Sequence, residues 1–364
     1  MGMERDDQRS RPIFAAILHA EAGPDAGPLT RATAEARRAL ADRHATGFRK
    51  AGAARVSIVA GPPDDRPFGA RLRELARDAG DGGLVVLGSG AIPLATAADL
   101  RELVAAAATP RPRALANNRF SADVVAIARA RSVLDDVPEL ETDNALPRWL
   151  EEEAGVSVGD LRRRWRLGVD IDSPLDLVVL GGRWTAGLAR EDVASTIARI
   201  GAVRAVVADP HAELVISGRL SAANLAWLEA HTASRTRALI EERGLRTRRD
   251  GQRPATSILG TLLDRDGPES LGRHLAALGG AAIIDTRVLL AHRFGAAEAG
   301  WPPAEDRFAS DLLLPARVTD SWLRALTTSA AEAPIPILLG GHTLVGPGLR
   351  LVLGRGRATA RVRS

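Results

Sequence analysis

Two carboxylates one residue apart, Asp170 and Asp172, stand in the run Gly168-Val169-Asp170-Ile171-Asp172-Ser173-Pro174-Leu175-Asp176-Leu177. Side chains alternate along an extended strand, so this spacing projects both acids to one face. Paired carboxylates at a strand end can hold a hard cation such as Mg²⁺. The Ser-Pro step then opens a helix, with Ser173 as its cap and Asp176 in the first turn, where a negative charge favours the helix dipole. The plainer alternative is a solvated strand end followed by that capped helix, with no metal.

Other polar clusters offer further chemistry. Asn117-Asn118-Arg119-Phe120-Ser121-Ala122-Asp123 lies between two apolar runs. Its amides and hydroxyl could contact a ligand, and Asn also builds tight turns. Thr142-Asp143-Asn144 reads as a helix start. In the second half, Ser217-Gly218-Arg219 and Gly340-Gly341-His342-Thr343 each follow an apolar run, and Asp306-Arg307-Phe308-Ala309-Ser310-Asp311 is densely charged. Arg219, Arg243, Arg246 and Arg287 could fork onto phosphate or carboxylate, or form surface salt bridges. The seven His form no H-E-x-x-H pattern, and there is no G-x-S-x-G elbow or Walker A run. No cysteine occurs, which excludes disulfides and thiolate sites.

The elements that must position these groups follow from hydrophobic pattern. Strands are expected at Ile13–Leu18, Arg55–Ala60, Leu84–Leu87, Ala114–Ala116 and Val124–Ala128, with helices over Leu29–Ala51, Phe68–Ala79 and Thr96–Ala107. Near-continuous apolar strands alternating with helices imply a largely parallel sheet covered on both faces. Farther on, strands are expected at Ala202–Val207, Ala212–Ile216, Ile283–Leu290 and Ile335–Leu339. Helices are expected at Ser221–Glu242, Ser270–Leu278 and Asp320–Ala331, with a loop over Arg243–Pro254. A boundary is expected between Gly181-Gly182 and Gly201.

Composition limits the partners. A chain of 364 residues is long for one domain, so two are expected. Net charge is only +4, Lys50 is the sole lysine, and the arginines are interspersed with acids rather than gathered in a stripe. With 3% aromatics and no Tyr, a nucleic-acid surface is not expected. No 18-residue apolar run and no apolar leader segment occur, so neither a membrane span nor export is expected, and the cytoplasm is the expected compartment.

The order of motifs in the first half resembles the MobA-like nucleotidyltransferases, which include the guanylyltransferases of molybdenum-cofactor and F420 biosynthesis. The resemblance rests on Val85-Val86-Leu87-Gly88-Ser89-Gly90-Ala91-Ile92-Pro93-Leu94 with Thr96-Ala97-Ala98-Asp99-Leu100, and on the closing run Asp170 to Leu177. It covers residues 12–182 and implies a three-layer αβα, Rossmann-like nucleotidyltransferase (GT-A-like) domain, followed by a second α/β domain over 202–355. By the same resemblance, Gly23, Gly27, Thr30 and Arg31 lie in the loop that cradles a triphosphate, and Asn117, Asn118 and Ser121 face the base or acceptor. Asp170 and Asp172 are then the catalytic metal ligands, for Mg²⁺. The implied reaction moves a nucleoside monophosphate from an NTP to a small phosphorylated or carboxylated acceptor, by positioning and charge neutralisation. A homo-oligomer is compatible with all of this.

The sequence departs from the pattern at two places. The loop lacks the family's Lys and Gly-Gly, and the metal-binding Asp expected before the Pro turn falls at or next to Gly90-Ala91. Three readings therefore stand side by side: a diverged transferase, a nucleotide-binding relative without catalysis, and an enzyme whose site lies around Arg219, Arg287, Asp306 and His342.

Overall fold

A computed structural model describes residues 11–64, 66–140, 142–245 and 253–354. The chain divides into two compact units: residues up to Pro24 with Ala34–Asp170, and Asp25–Thr33 with everything from Ile171 onward. The division falls at 170/171, whereas the sequence reading ended the first domain at 182.

The first unit runs β1 (Ile13–Ala20), α1 (Pro28–Lys50), β2 (Arg55–Gly61), α2 (Phe68–Ala79), β3 (Gly83–Gly88), α3 (Ala97–Ala107), β4 (Ala114–Ala116), β5 (Val124–Ile127), α4 (Ala130–Leu134), α5 (Leu146–Glu152) and β6 (Val158–Asp160). Its six strands lie in the order β2-β1-β3-β5-β4-β6. β1 is parallel to β2 and β3, while β5 is antiparallel to β3 and β4. The period of two along β1 assigns its side chains to two cores. Phe14 and Ala16 pack with Leu72, Leu75 and Ala76 of α2 on one face. Ile13, Ala15 and Ile17 pack with Ala45 and Phe48 of α1 and Leu103 of α3 on the other. The result is the expected three-layer αβα sandwich.

The second unit runs α6 (Pro174–Leu180), α7 (Arg190–Val207), β7 (Glu213–Gly218), α8 (Ala222–His231), β8 (Arg235–Ile240), α9 (Ile258–Asp266), α10 (Leu271–Ala276), β9 (Ala281–Asp285), α11 (Thr286–Phe294), α12 (Ala304–Asp311), α13 (Ser321–Ala331) and β10 (Ile337–Gly340). Its four strands, in the order β10-β9-β7-β8, are all parallel. Both units are thus α/β.

Three expectations for this half are corrected. Ala202–Val207 is the last part of α7, not a strand. That helix buries Asp192, Thr196, Ile200, Val203 and Val207, a three-to-four-residue spacing whose apolar end mimics a strand. The segment Ser221–Glu242 is not one helix: α8 stops at His231, and β8 follows as an edge strand that leaves Arg235, Arg237, Ala238 and Ile240 exposed. The apolar run Ile283–Leu290 splits at Asp285, whose side chain accepts from the Arg287 amide and caps α11. Of the expected loop Arg243–Pro254, residues 246–252 lie outside the described residues.

Leu103 is fully buried in the α1/α3 face of the first sheet. Leu103→Ala should lower unfolding free energy by about 2–5 kcal/mol, read from urea denaturation. A loss under about 1 kcal/mol would mean that this face is not a packed core.

Candidate functional site

The chain leaves β1 for β2 on one side and then passes to β3 on the other, so the carboxyl ends of β1 and β3 flank a topological switch point. Open α/β sheets take ligands in that crevice. A cavity of about 310 Å³ lies there, lined by Leu18 of β1, Val86–Gly88 of β3 and Ala122–Val125 at the start of β5. Asp64, Arg66, Phe68 and Arg71 line it from the segment entering α2, and Thr142, Asp143 and Leu146 complete it. Its two guanidiniums are held by acids: Arg71 pairs with Asp64, and Arg66 with Glu74. Asp123 closes the polar run singled out in the sequence, whereas Arg71 was not singled out, because nothing in its local pattern distinguishes it from other charged residues of an amphipathic helix.

The turn after β3 is held from several directions. The Ser89 amide donates to the Leu18 carbonyl at 2.7 Å, and His19 Nδ1 lies 3.1 Å from the Ser89 hydroxyl. His44 of α1 donates from Nε2 to the Ala91 carbonyl at 2.9 Å, and Arg43 donates to the Pro93 carbonyl. Between them, buried Ile92 adopts φ +47°, a left-handed conformation that a β-branched side chain resists. The over-determined surroundings hold it there. Thr96 and Asp99 then form a capping box at the start of α3. Asp99 also receives Arg164 at 3.0 Å and Arg166 at 2.9 Å. Burial alone would raise the Asp99 pKa, but the Thr96 hydroxyl, Arg166, the Thr96 amide and Arg164 together hold it at about 2.

This scaffold decides what stands beside Asp170. The residue forms an isolated antiparallel bridge with Ala91 rather than ending a regular strand. The position opposite the half-buried Asp170 is therefore a methyl group. A two-carboxylate clamp drawn from these two segments cannot form. Asp172 belongs to the second unit, and its side chain is exposed. Among the described residues no three His, Asp or Glu side chains gather as a metal set.

The helix start within the closing run is built as the sequence reads. Asp176 accepts from the Asp172 amide at 2.9 Å and the Ser173 amide at 2.7 Å, and forms a capping box with Ser173. Burial, then the Asp172 charge, push the Asp176 pKa up to about 7.

The expected phosphate loop is also distributed unexpectedly. Gly23 falls in the first unit, while Gly27, Thr30 and Arg31 fall in the second. The Glu305 carboxylate accepts from the Leu29 amide at 3.1 Å, and from the Thr30 amide and hydroxyl, both at 2.9 Å. A Cβ at Gly27 would lie 2.2 Å from the Glu305 carboxyl carbon. Of the residues assigned to a triphosphate, Thr30 thus already holds a carboxylate, and Arg31 donates to the Ala26 carbonyl. Buried Asn117 is a structural cross-link. Its amide donates to Asp123 at 2.8 Å and to the Leu167 carbonyl at 2.9 Å, while its oxygen accepts from the Asp123 amide at 3.0 Å. Asn118 accepts from the Phe120 amide two residues on, as a turn residue, and Ser121 donates to Asn144. Asp306 caps a turn by accepting from the amides of Thr319 and Asp320, at 2.8 and 2.7 Å.

No family model matches the sequence, and no curated protein matches it. A solved structure from Desulfovibrio desulfuricans G20, provisionally named a nucleotide-diphospho-sugar transferase, is similar at 15% identity and a TM-score of 0.34. The similarity covers 54% of this chain and 97% of that one. A likeness of that size carries no assignment.

Burial, opposed by the Ala91 carbonyl, lowers the pKa of His44 from 6.5 to about 4. The unfolded chain therefore binds a proton that the folded chain refuses between those values. The stabilisation is complete above pH 6.5 and is lost as pH falls toward 4, by about 3 kcal/mol. Urea unfolding of wild type and His44→Gln across this range should show a shallower acid slope for the variant. Equal slopes would mean that His44 titrates normally.

Proposed function

We propose that the first unit is a nucleotidyltransferase-type domain that binds a nucleoside phosphate in the cavity beside β1 and β3 without transferring it. The single observation behind this reading is the bridge that sets Ala91 opposite Asp170. Three further features support binding: the order of motifs, the position of the cavity at the switch point, and its volume, sufficient for part of a nucleotide. The cavity's carboxylates, Asp64, Asp123 and Asp143, suit ligand hydroxyl and amine donors, as acids do at ribose subsites. The occupied amides at Leu29 and Thr30 argue against a triphosphate gripped as in the family.

A second reading keeps the transfer itself. Asp170 supplies the one carboxylate this reading needs, and one carboxylate with substrate phosphates is a known way to hold Mg²⁺. In that case Asp170, with Asp172, would neutralise charge while a nucleoside monophosphate moves from an NTP to a small phosphorylated or carboxylated acceptor.

Calorimetric titration of the full chain with each NTP, with Mg²⁺ and with EDTA, separates the two when paired with a pyrophosphate assay. The proposal predicts nucleotide binding that changes less than about threefold, under 1 kcal/mol, when the metal is chelated, with no pyrophosphate released. Ala91→Asp should make binding Mg²⁺-dependent. Pyrophosphate release by wild type that is lost in Asp170→Asn would establish the transfer reading instead. Absence of nucleotide binding under both conditions would overturn both.

A further inference from the structure

In the first unit, α2 and α4 pack against each other and share one core of the sheet. α2 buries Leu72, Leu75, Ala76 and Ala79, and α4 buries Ala130, Val133 and Leu134. The seam between them holds a cavity of about 80 Å³, against about 310 Å³ for the one beside β1 and β3. Ala76 and Leu134 supply its apolar lining, and Arg73, Arg77, Arg131 and Asp135 its charged lining. Arg73 and Arg77 are four residues apart and so lie on one face of α2. Ala76, with a methyl for a side chain, leaves the space beside them open.

Many arginines of this chain meet an acid directly. Arg66 pairs with Glu74, Arg71 with Asp64 and Arg119 with Glu151. In the second unit, Arg219 forks onto buried Asp285 and Arg287 onto buried Asp311. The seam is built differently. Arg77 Nε donates to the Arg73 carbonyl at 3.3 Å, and its two Nη groups have no partner among the described residues. Arg131 has no hydrogen bond or ion pair among the described residues, although Asp135 follows it by one helical turn. Arg73 donates from Nη1 to the Val137 carbonyl, and its Nη2 lies 3.8 Å from the Glu139 carboxylate. That separation is beyond hydrogen-bond range, and with Glu139 73% exposed the pair is weak. Three cations and one anion therefore line a space that no protein group fills. Guanidiniums gathered so closely repel one another unless an anion lies between them.

We propose that this cavity is a second binding site, for a tetrahedral dianion: the phosphate group of inorganic phosphate or of a phosphate monoester. Guanidiniums fork onto phosphate oxygens, and a tetrahedral group has enough oxygens to serve three of them, whereas a planar carboxylate has two. The excess of two positive charges matches a phosphate dianion. Arg73 Nη2 exchanges its weak contact with Glu139 for the ligand. The cavity has room for one phosphate group and none for a nucleoside. None of its residues lines the cavity beside β1 and β3, so this site and nucleotide binding there can fail independently.

Calorimetric titration of the full chain at constant ionic strength tests it, with inorganic phosphate, glycerol phosphate and sulfate as probes. Wild type should bind inorganic phosphate with a Kd below about 1 mM at about pH 8. Arg77→Gln and Arg131→Gln should each weaken binding about tenfold, the loss of one charge-assisted contact. Both side chains are exposed, so urea midpoints should not move. Arg71→Gln, at the other cavity, should leave phosphate binding unchanged. The second ionisation of a phosphate monoester lies near pH 6, so glycerol phosphate should bind about tenfold more weakly at about pH 5 than at about pH 8. Sulfate stays doubly charged over that range and should bind equally at both. Glycerol phosphate within about tenfold of inorganic phosphate assigns monoesters as the ligand, and a larger gap assigns the free ion. Either result upholds the site. No binding at about 10 mM, binding that survives both Arg77→Gln and Arg131→Gln, binding lost only in Arg71→Gln, or an equal acid loss for sulfate would overturn the proposal.

Discussion

The antiparallel bridge between Ala91 and Asp170 is the constraint on which the functional account depends. It fixes which two side chains share the mouth of the first sheet, and one of them is a methyl. Much of the surrounding structure holds that bridge in place. His44 and Arg43 hold the carbonyls of Ala91 and Pro93, and Ile92 keeps a strained backbone between them. Arg164 and Arg166, on the segment leading to Asp170, are anchored on the capping acid of α3. The turn that carries Ala91 is thus fixed by contacts that do not involve its side chain. Packing accounts for this: the buried turn and the Asp99 cap stabilise the sheet whatever stands at position 91.

Two of the motifs singled out in the sequence contain helix starts. Asp176 and Ser173 satisfy the first amides of α6, which a buried helix end would otherwise leave without partners. Glu305 does the same for α1 from 275 residues away in the chain. In both places backbone N–H groups that could hold a phosphate hold a carboxylate instead. The electrostatics are equivalent, since either anion complements the dipole. Only the identity of the anion differs.

The fold of the first unit was legible because its signals are local. Alternation along β1 divides Phe14 and Ala16 from Ile13, Ala15 and Ile17, and Gly52 and the Pro62-Pro63 step mark element ends. The second unit was less legible where tertiary context overrode pattern. An apolar helix end at Ala202–Val207 resembles a strand, and β8 is an exposed edge without an inward apolar face. That position 91 carries a methyl, where the family resemblance implies an acid, could be read directly. The Glu305 contact with Thr30 could not, because no local pattern pairs residues so far apart. The cross-link at Asn117 was hidden for a different reason: Asn has the same donors and acceptors whether it reads a ligand or ties Asp123 to Leu167.

The most direct test of the central claim is anomalous diffraction from crystals of the full chain soaked with an NTP and Mn²⁺ in place of Mg²⁺. The account predicts nucleotide density beside Leu18 and Gly88 with no manganese peak coordinated by a pair of protein carboxylates. A manganese ion bridged by Asp170 and Asp172 to the nucleotide phosphates would contradict it.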